Sequence, residues 1–330
     1  MIGFSIIICT HNPKHGIFKR VLTAIEQLQT EAISHEIIIV DNNSTTPLTT
    51  INFVQEFLKS NSTVSLILEK KPGLTEARIA GIKRAKYDWF VFFDDDNEPK
   101  SDYLQRASHT IHAHPQVGAW GPGTVEVEFM DPPPPWLESE KWLFQHRKEV
   151  YTEFDNQKNW QKCYPFGTGL IIRKDIAALY VKRVLQNRYT LSDRKGKSLA
   201  SGGDVQMVLT GIEQGYSAGV IKGMVLNHLI DASKTTMKYL LRMQYGTASA
   251  YIKAFNQVFI NDTIPIQRVT NKQIFFMLYS LFKIQKKQMK WGSFKLLLAS
   301  KMGEINASIE ANGQIKPFFL RFFEKFSNVS

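Results

Sequence analysis

The chain has 330 residues, of which 43% are hydrophobic and 12% aromatic, so it can build one large packed domain or a domain with an appendage. Its two cysteines exclude a disulfide framework and favour a reducing compartment. The net charge of +11 is concentrated after residue 234, where 14 Lys and Arg face 4 Asp and Glu, which predicts an anionic partner surface.

The first ten residues, "MIGFSIIICT", are apolar but lack a basic segment and a cleavage site. They predict a buried strand rather than a signal peptide. No stretch approaches about 18 uninterrupted apolar residues, so no transmembrane helix is expected.

Strand and helix patterns alternate over the first hundred residues. Strands are predicted at 4–10, 36–44, 64–69 and 89–96, and helices at 16–30, 47–59 and 73–86. Apolar strands that alternate with helices indicate a parallel sheet with right-handed crossovers, covered on both faces.

The second hundred residues are less regular. A strand is predicted at 118–129, a stiff proline loop at 131–136, and a glycine turn with a strand and a helix start at 163–177. A polar, mobile loop at 192–204 leads into a helix, and a last strand covers 219–230. The remaining chain has a helical pattern.

Short polar residues follow three of the predicted strands. They are Thr10, His11 and Asn12; Asp41, Asn42, Asn43 and Ser44; and Asp94, Asp95 and Asp96. Ligands of parallel sheets gather at the carboxyl ends of the strands, so one crevice can contain all three groups. Turn and helix-cap roles are the alternative for the asparagines.

The aspartate triplet in "FVFFDDDNEP" follows an apolar run directly. Carboxylates are hard oxygen ligands that suit Mg²⁺ or Mn²⁺, and a diphosphate often completes such a shell. Strand alternation predicts that Asp94 and Asp96 point the same way. A solvated acidic turn is the alternative. Two enzyme classes use such a cation. One is a phosphatase or phosphotransferase, and the other is a sugar-nucleotide transferase.

The succession "IIICTHN", "EIIIVDNNST", "GLTEARIAGI" and "FVFFDDDNEP" resembles the nucleotide-binding half of family 2 glycosyltransferases, over roughly residues 1 to 230. The resemblance implies the GT-A fold, an α/β architecture with a Rossmann-like, mostly parallel sheet flanked by helices and, here, a C-terminal helical appendage. It implies a catalytic domain at 1–234, with a nucleotide-binding half at 1–100 and an acceptor half at 101–234. Residues 235–330 form the basic, aromatic-rich helical region.

The resemblance also implies roles on the donor side. Thr10 and Asn12 would lie along the nucleoside, Asp41 and Asn43 would hold the base or ribose, and Arg78 would lie near the base. The acidic element Asp94, Asp95 and Asp96 would bind donor and metal, with Asp96 the best metal ligand and Asp94 shared between ribose and metal. His228, at the end of the last strand, would be a third metal ligand, although a lone histidine is often structural.

On the acceptor side the resemblance implies a general base at Asp204, in "SGGDVQM", where Gly203 replaces the usual Glu. Helix capping is the alternative for Asp204. "FGTG" implies an acceptor pocket lined by Gly167, Thr168 and Gly169. Trp120 is a predicted sugar platform, as are Trp136 and Trp142, and each could equally belong to the core.

The implied reaction is an inverting transfer of one sugar from a nucleotide-sugar, with a UDP-sugar favoured, aided by Mn²⁺ or Mg²⁺. The Gln-x-x-Arg-Trp element of processive synthases is absent. The 192–203 loop would close over the donor. Two alternatives stay open: a sugar-nucleotide hydrolase or phosphotransferase using the same metal site, and a non-catalytic nucleotide-sugar-binding protein.

The C-terminal region mixes aromatic clusters with lysines at 271–302 and 317–326. Such composition is typical of interfacial helices on anionic lipid. We therefore expect a cytoplasmic protein that is peripheral on the inner face of the cell membrane, and a saccharide or lipid-linked acceptor from bacterial surface polysaccharide (O-antigen, lipopolysaccharide or capsule) assembly. A helical appendage packed on the catalytic domain is the alternative. No nucleic acid partner is expected, because no binding motif accompanies the charge.

Overall fold

The structure, a computed structural model, describes residues 2–191, 193–194, 199–266, 268–288 and 291–329. The chain divides into two compact units. The first comprises Met1–Glu128, Lys141–Tyr189 and Asp204–Ile230, and the second comprises Phe129–Glu140, Thr190–Gly203 and Asp231–Ser330.

Four parallel strands begin the first unit: β1 (Gly3–Thr10), β2 (Ser34–Asp41), β3 (Val64–Leu68) and β4 (Trp89–Asp94). They lie in the order β3-β2-β1-β4. Every residue of β1 is buried, which explains its continuous apolar run. The predicted parallel, two-sided sheet is therefore present in this half.

The helices between these strands are α1 (His15–Glu26), α2 (Asn52–Ser60) and α3 (Leu74–Arg84). Helix α1 ends at Glu26, although the pattern predicted a helix to residue 30; beyond its end the Gln29 N–H donates to the Ser101 carbonyl over 2.8 Å. A separate 3-10 turn, Leu48–Thr50, precedes α2, and extended Ile51 lies between them.

The remaining strands make the sheet mixed. They are β5 (Asn97–Pro99), β6 (Val117–Phe129), β7 (Arg147–Lys148), β8 (Glu153–Asp155), β9 (Leu170–Arg173) and β10 (Ser217–Ile230). Strand β9 runs antiparallel to β4 and to β6, and β10 runs antiparallel to β5 and β8. Helices α4 (Tyr103–Ala113), α5 (Lys174–Leu185) and α6 (Gly203–Glu213) accompany them, and a 3-10 segment covers Glu138–Phe144. The α/β prediction is confirmed: β1–β4 are parallel, and the antiparallel pairs of β9, β5 and β8 make the whole sheet mixed.

The second unit is helical, as predicted for the C-terminal region. After a 3-10 turn at Ala232–Thr235 it contains α7 (Met237–Val258), α8 (Asn271–Gln288), α9 (Trp291–Ala311) and α10 (Phe318–Ser327). Its core includes Tyr245, Ile274, Met302 and Leu320. Within the described part of the chain, no helix has both the length and the apolar character that crossing a bilayer requires.

A buried carboxylate closes the base of one loop in the second unit. Asp193 is fully buried, and its two oxygens accept the N–H groups of Gly202 (2.7 Å) and Gly203 (3.0 Å). The predicted mobile loop at 192–203 contains residues 192 and 195–198, which lie outside the described residues.

Candidate active site

The aspartate triplet spans the end of a strand and the turn that follows it. Strand β4 ends at Asp94, and Asp95 and Asp96 form the turn that leads into β5. The alternation rule used for Asp94 and Asp96 therefore does not apply. Buried Asn97 sets the turn instead: its Oδ1 accepts the Asp94 N–H over 3.1 Å, and its Nδ2 donates to Asp96 Oδ1 over 2.9 Å.

Thr10 joins β1 to this turn, since its hydroxyl donates to Asp95 Oδ2. Arg78 lies near the end of β4, with its guanidinium carbon 6.0 Å from the centre of the Phe92 ring. Burial raises the pKa of Cys9 to about 12, and the charges that act on it are those of Arg78, Asp94 and Asp95. Arg78, on α3, is itself buried. A buried guanidinium therefore accompanies the acidic turn.

His228 faces Asp96. The β10–β5 register sets His228 opposite Asn97, and His228 Nε2 lies 3.5 Å from Asp96 Oδ1. Its Nδ1 lies 2.9 Å from the Phe144 carbonyl oxygen. A carbonyl only accepts hydrogen bonds, so Nδ1 carries the proton in the neutral ring and Nε2 presents a lone pair to the carboxylate.

This pair suits a divalent cation. Two ligands of an octahedral cation, each about 2.1 Å from it, are about 3 Å apart, close to the observed separation. Among the described residues, no group of three or more His, Cys, Asp or Glu has the arrangement of a complete metal site. Asp96 and His228 fit a site in which the protein supplies one or two ligands and a bound phosphate supplies others.

Both carboxylate oxygens of Asp41 accept hydrogen bonds from the backbone of the loop that follows it. Its Oδ1 accepts the Ser44 N–H over 2.9 Å, and its Oδ2 accepts the Leu48 N–H over 3.2 Å. Asn42 donates to the carbonyls of Glu69 and Lys71 and accepts the Gly73 N–H. Both side chains fix the loop after β2, and for Asn42 this is the turn role that the sequence left open.

The loops after β1 and β2 are bonded together. Asn12, at φ +51°, donates its N–H to Ser44 Oγ over 2.9 Å and accepts the Thr45 N–H at Oδ1 over 2.8 Å. Asn43 has φ +60°, and its side chain is exposed. The structure thus brings the predicted donor residues to one rim of the sheet. Asn12 there serves loop architecture, and Asn43 offers its amide to solvent.

Asp204 lies in the first turn of α6 and is buried. Its Oδ2 accepts the Gly167 N–H over 2.7 Å. A methyl group at position 167 would lie 2.8 Å from Asp204 Oδ2 and 3.2 Å from Arg78 Nη2. Arg78, Gly167 and Asp204 therefore meet at one point, and Arg78 links that point to the acidic turn.

Tyr103, which sequence reasoning missed, holds the other end of the predicted acceptor loop. Its hydroxyl donates to the Gly169 carbonyl over 2.6 Å, and burial raises the pKa of Tyr103 well above its ordinary value, so the donor stays protonated. Gly169 has φ +72°, and a side chain there would overlap the Tyr103 hydroxyl. Thr168 between the two glycines is buried.

Trp120 lies in the core. Its ring has no exposed surface and contacts Phe154 and His114. A sugar platform needs an accessible ring face, so this burial favours the core alternative for Trp120. The aromatic pair next to the acceptor loop is Trp160 and Phe166, whose rings stack with centroids 6.0 Å apart.

Comparisons with known proteins identify related sequences and folds. The sequence profile described as glycosyl transferase family 2 matches residues 5–179. No curated protein matches the chain. The mannosyltransferase PcManGT from Pyrobaculum calidifontis, solved in complex with GDP-Man and Mn²⁺, is 14% identical, with 98% of this chain and 79% of that chain covered and a TM-score of 0.54. TarS of S. aureus is 12% identical, with 95% of this chain and 92% of that chain covered and a TM-score of 0.49.

Proposed function

We propose that this chain, which belongs to glycosyl transferase family 2, moves a single sugar from a nucleotide-sugar to a saccharide or lipid-linked saccharide. The transfer would invert the configuration at the anomeric carbon. The family match covers more than half of the chain, and the fold is of the GT-A type. The observation that carries the proposal is the position of Arg78, which lies over Phe92 of the strand that ends in the acidic turn and also lies beside Gly167 and Asp204.

The donor would bind at the acidic turn. Asp94 and Asp95 are the proposed contacts to the donor, and the Thr10 hydroxyl orients Asp95. Arg78 provides a positive group beside them. Asn12, Asp41 and Asn43 remain proposed donor contacts, and their loop bonds would hold the nucleoside rim rigid.

Asp96 and His228 would hold Mn²⁺ or Mg²⁺, with Asp94 shared between the cation and the donor. When bound, the cation would neutralise the charge of the departing nucleoside diphosphate. The Phe144 carbonyl keeps the His228 ring oriented with its lone pair toward Asp96. The mannosyltransferase of the same fold was solved with Mn²⁺, which supports a divalent cation.

Asp204 would act as the general base. Its Oδ2 is held by Gly167, while Oδ1 accepts no hydrogen bond from the described residues. The acceptor hydroxyl attacks the anomeric carbon, its proton passes to Asp204, and the bond from that carbon to the diphosphate oxygen breaks on the opposite face. A positioned carboxylate contributes roughly 10²–10⁴-fold to such a step.

The second unit would contact a membrane. The exposed rings of Phe318, Phe322 and Phe326 form a ladder along α10, stacked at 6.2 and 6.1 Å. Arg321 and Lys325 are exposed on the same helix. An exposed apolar face among basic residues suits an anionic bilayer surface. We therefore propose that catalysis resides in 1–234 and the peripheral attachment in 235–330, in the assembly of a bacterial surface polysaccharide.

A donor screen tests the proposal. Full-length protein is heated with Mn²⁺ and UDP-, GDP-, dTDP- or CMP-sugars, and we expect one nucleotide to raise the melting temperature only when the metal is present. Product analysis follows: a hydrolase would release free sugar without an acceptor, whereas a transferase needs one. Stabilisation without any turnover would instead indicate a binding protein.

A further inference from the structure

Arg147, on the edge strand β7, lies over an aromatic pair. Its guanidinium carbon is 4.7 Å from the centre of the Phe166 ring, and Phe166 stacks on Trp160. Both the cation and the rings are partly exposed. A guanidinium on an aromatic face is oriented, and the N–H groups that it does not use locally remain available to an oxyanion.

The hydrogen bonds of Arg147 leave its charge uncompensated. Nη2 donates to the carbonyls of Lys162 and Tyr164, each at a long 3.3 Å. Nε is buried and has no acceptor among the described residues. Burial lowers the pKa of Arg147, although the charge of Glu149 acts against that shift. Glu149 forms its own ion pair with Lys162 at 3.5 Å.

Arg173 shows what a compensated arginine looks like in the same unit. Its guanidinium also lies 4.7 Å from an aromatic centre, that of Tyr216, but it makes two 3.1 Å hydrogen bonds to the Asp175 carboxylate. A partly desolvated cation is costly unless an anion is paired with it. Arg147 has the stacking without such a pair within the described chain.

The position of this cluster relates it to the acceptor. Phe166 directly precedes Gly167, whose N–H binds Asp204. An acceptor whose hydroxyl approaches Asp204 would therefore place its neighbouring groups beside Phe166 and Trp160. The guanidinium lies over the Phe166 ring, so an acceptor group that reaches this aromatic pair also reaches the cation.

We propose that Arg147 binds an oxyanion, a carboxylate or a phosphate, that the acceptor carries close to its reacting hydroxyl. The acceptor is then an anionic saccharide rather than a neutral one. This inference rests on the proposed function, because it assigns the acceptor side of the same site.

The test compares three probes with the full-length protein: octyl β-glucoside, octyl β-glucuronide and the 6-phosphate of octyl β-glucoside. Binding is measured by calorimetry without a donor, below the micelle-forming concentration. We expect at least one anionic probe to bind about tenfold to a hundredfold more tightly than the neutral one, as loss of a charged hydrogen bond predicts. Preference for the glucuronide would identify a uronic-acid acceptor, and preference for the phosphate a phosphorylated one.

Arg147→Gln is expected to abolish the preference, and Arg147→Lys, which keeps charge without the planar fork, to retain only part of it. Arg173→Gln is the matched control and should leave the preference unchanged. Equal binding of all three probes to the wild-type protein overturns the inference and needs no variant to do so. A preference that survives in folded Arg147→Gln also overturns it.

Release of nucleoside diphosphate from the donor separates the two claims. Turnover without any anion preference would leave the transferase proposal standing and remove the acceptor assignment. Arg147-dependent binding of an anionic probe by a protein that turns over no nucleotide-sugar would leave an oxyanion site at Arg147 but remove both the transferase proposal and the identification of that oxyanion as part of an acceptor.

Discussion

Asp204 and Gly167 lie 37 residues apart in the chain, yet the Gly167 N–H donates to Asp204 Oδ2 over 2.7 Å. The bond ties the first turn of α6 to the loop before β9. One oxygen of the carboxylate is therefore held in place, and the bond connects the proposed base directly to the proposed acceptor loop.

Asp204→Asn tests the base while keeping this bond, because the amide oxygen still accepts the Gly167 N–H. We expect turnover to fall roughly 10²–10⁴-fold and donor affinity to stay within a few-fold of wild type. The measurements are nucleoside diphosphate release and calorimetric donor binding. Retained turnover in a folded variant would remove Asp204 from the mechanism.

Gly169→Ala should destabilise the first unit. The residue has φ +72°, and the new methyl group would collide with the Tyr103 hydroxyl, breaking its bond to the Gly169 carbonyl. Gly215→Ala is the matched control, since Gly215 has φ +89° but open space around it. We expect a cost of about 1 kcal/mol for the control, and about 1–3 kcal/mol more at Gly169. Urea unfolding followed by fluorescence measures the difference, and equal midpoints would contradict the packing argument.

His228→Ala should weaken the metal-dependent part of nucleotide binding. The variant loses the lone pair that faces Asp96 at 3.5 Å, so the Mn²⁺ concentration for half-maximal thermal stabilisation by a nucleoside diphosphate should rise about tenfold or more. Exposed His112 provides the control, as His112→Ala. An unchanged Mn²⁺ requirement in His228→Ala would exclude the imidazole as a ligand.

The aromatic ladder of α10 should be needed for membrane binding. Replacing Phe318, Phe322 and Phe326 by Ser removes three exposed rings without touching the core of the second unit. We expect flotation with phosphatidylglycerol vesicles to drop several-fold and to be weak with neutral vesicles for every variant. Leu68→Ser with Leu185→Ser, two exposed leucines of the first unit, is the control. Equal flotation of ladder variant and wild type would refute the attachment.

The sequence was most informative where burial dictates residue type. Strands β1, β2 and β4 are apolar on both faces, so their continuous apolar sequence runs predicted these strands directly. The reasoning failed at Asp96, because β4 ends at Asp94 and a turn obeys no two-residue alternation. Local patterns also gave no sign that β9 would pair antiparallel with β4, since that depends on a partner far along the chain.

The residues that sequence reasoning missed act through distant partners. Tyr103 donates to the Gly169 carbonyl 66 positions along the chain, and the amide of Asn97, which the sequence analysis did not single out, organises the acidic turn. Conversely, Asp41 lies in the predicted place, but its oxygens serve the N–H groups of Ser44 and Leu48. Residue type and spacing can show which side chains lie at the carboxyl edge of the sheet. Their hydrogen-bond partners, which only the structure shows, decide what each side chain does there.

The two bonds that Asp193 accepts from Gly202 and Gly203 have an evolutionary consequence. Hydrogen bonds to the Asp193 carboxylate hold both ends of the segment between Asp193 and Gly202. Such a segment can gain or lose residues without disturbing the chain on either side. The entropy cost of closing a loop grows by only about 0.6 kcal/mol for each doubling of its length. Insertions between these two anchors are therefore expected to cost little, both in evolution and in engineering.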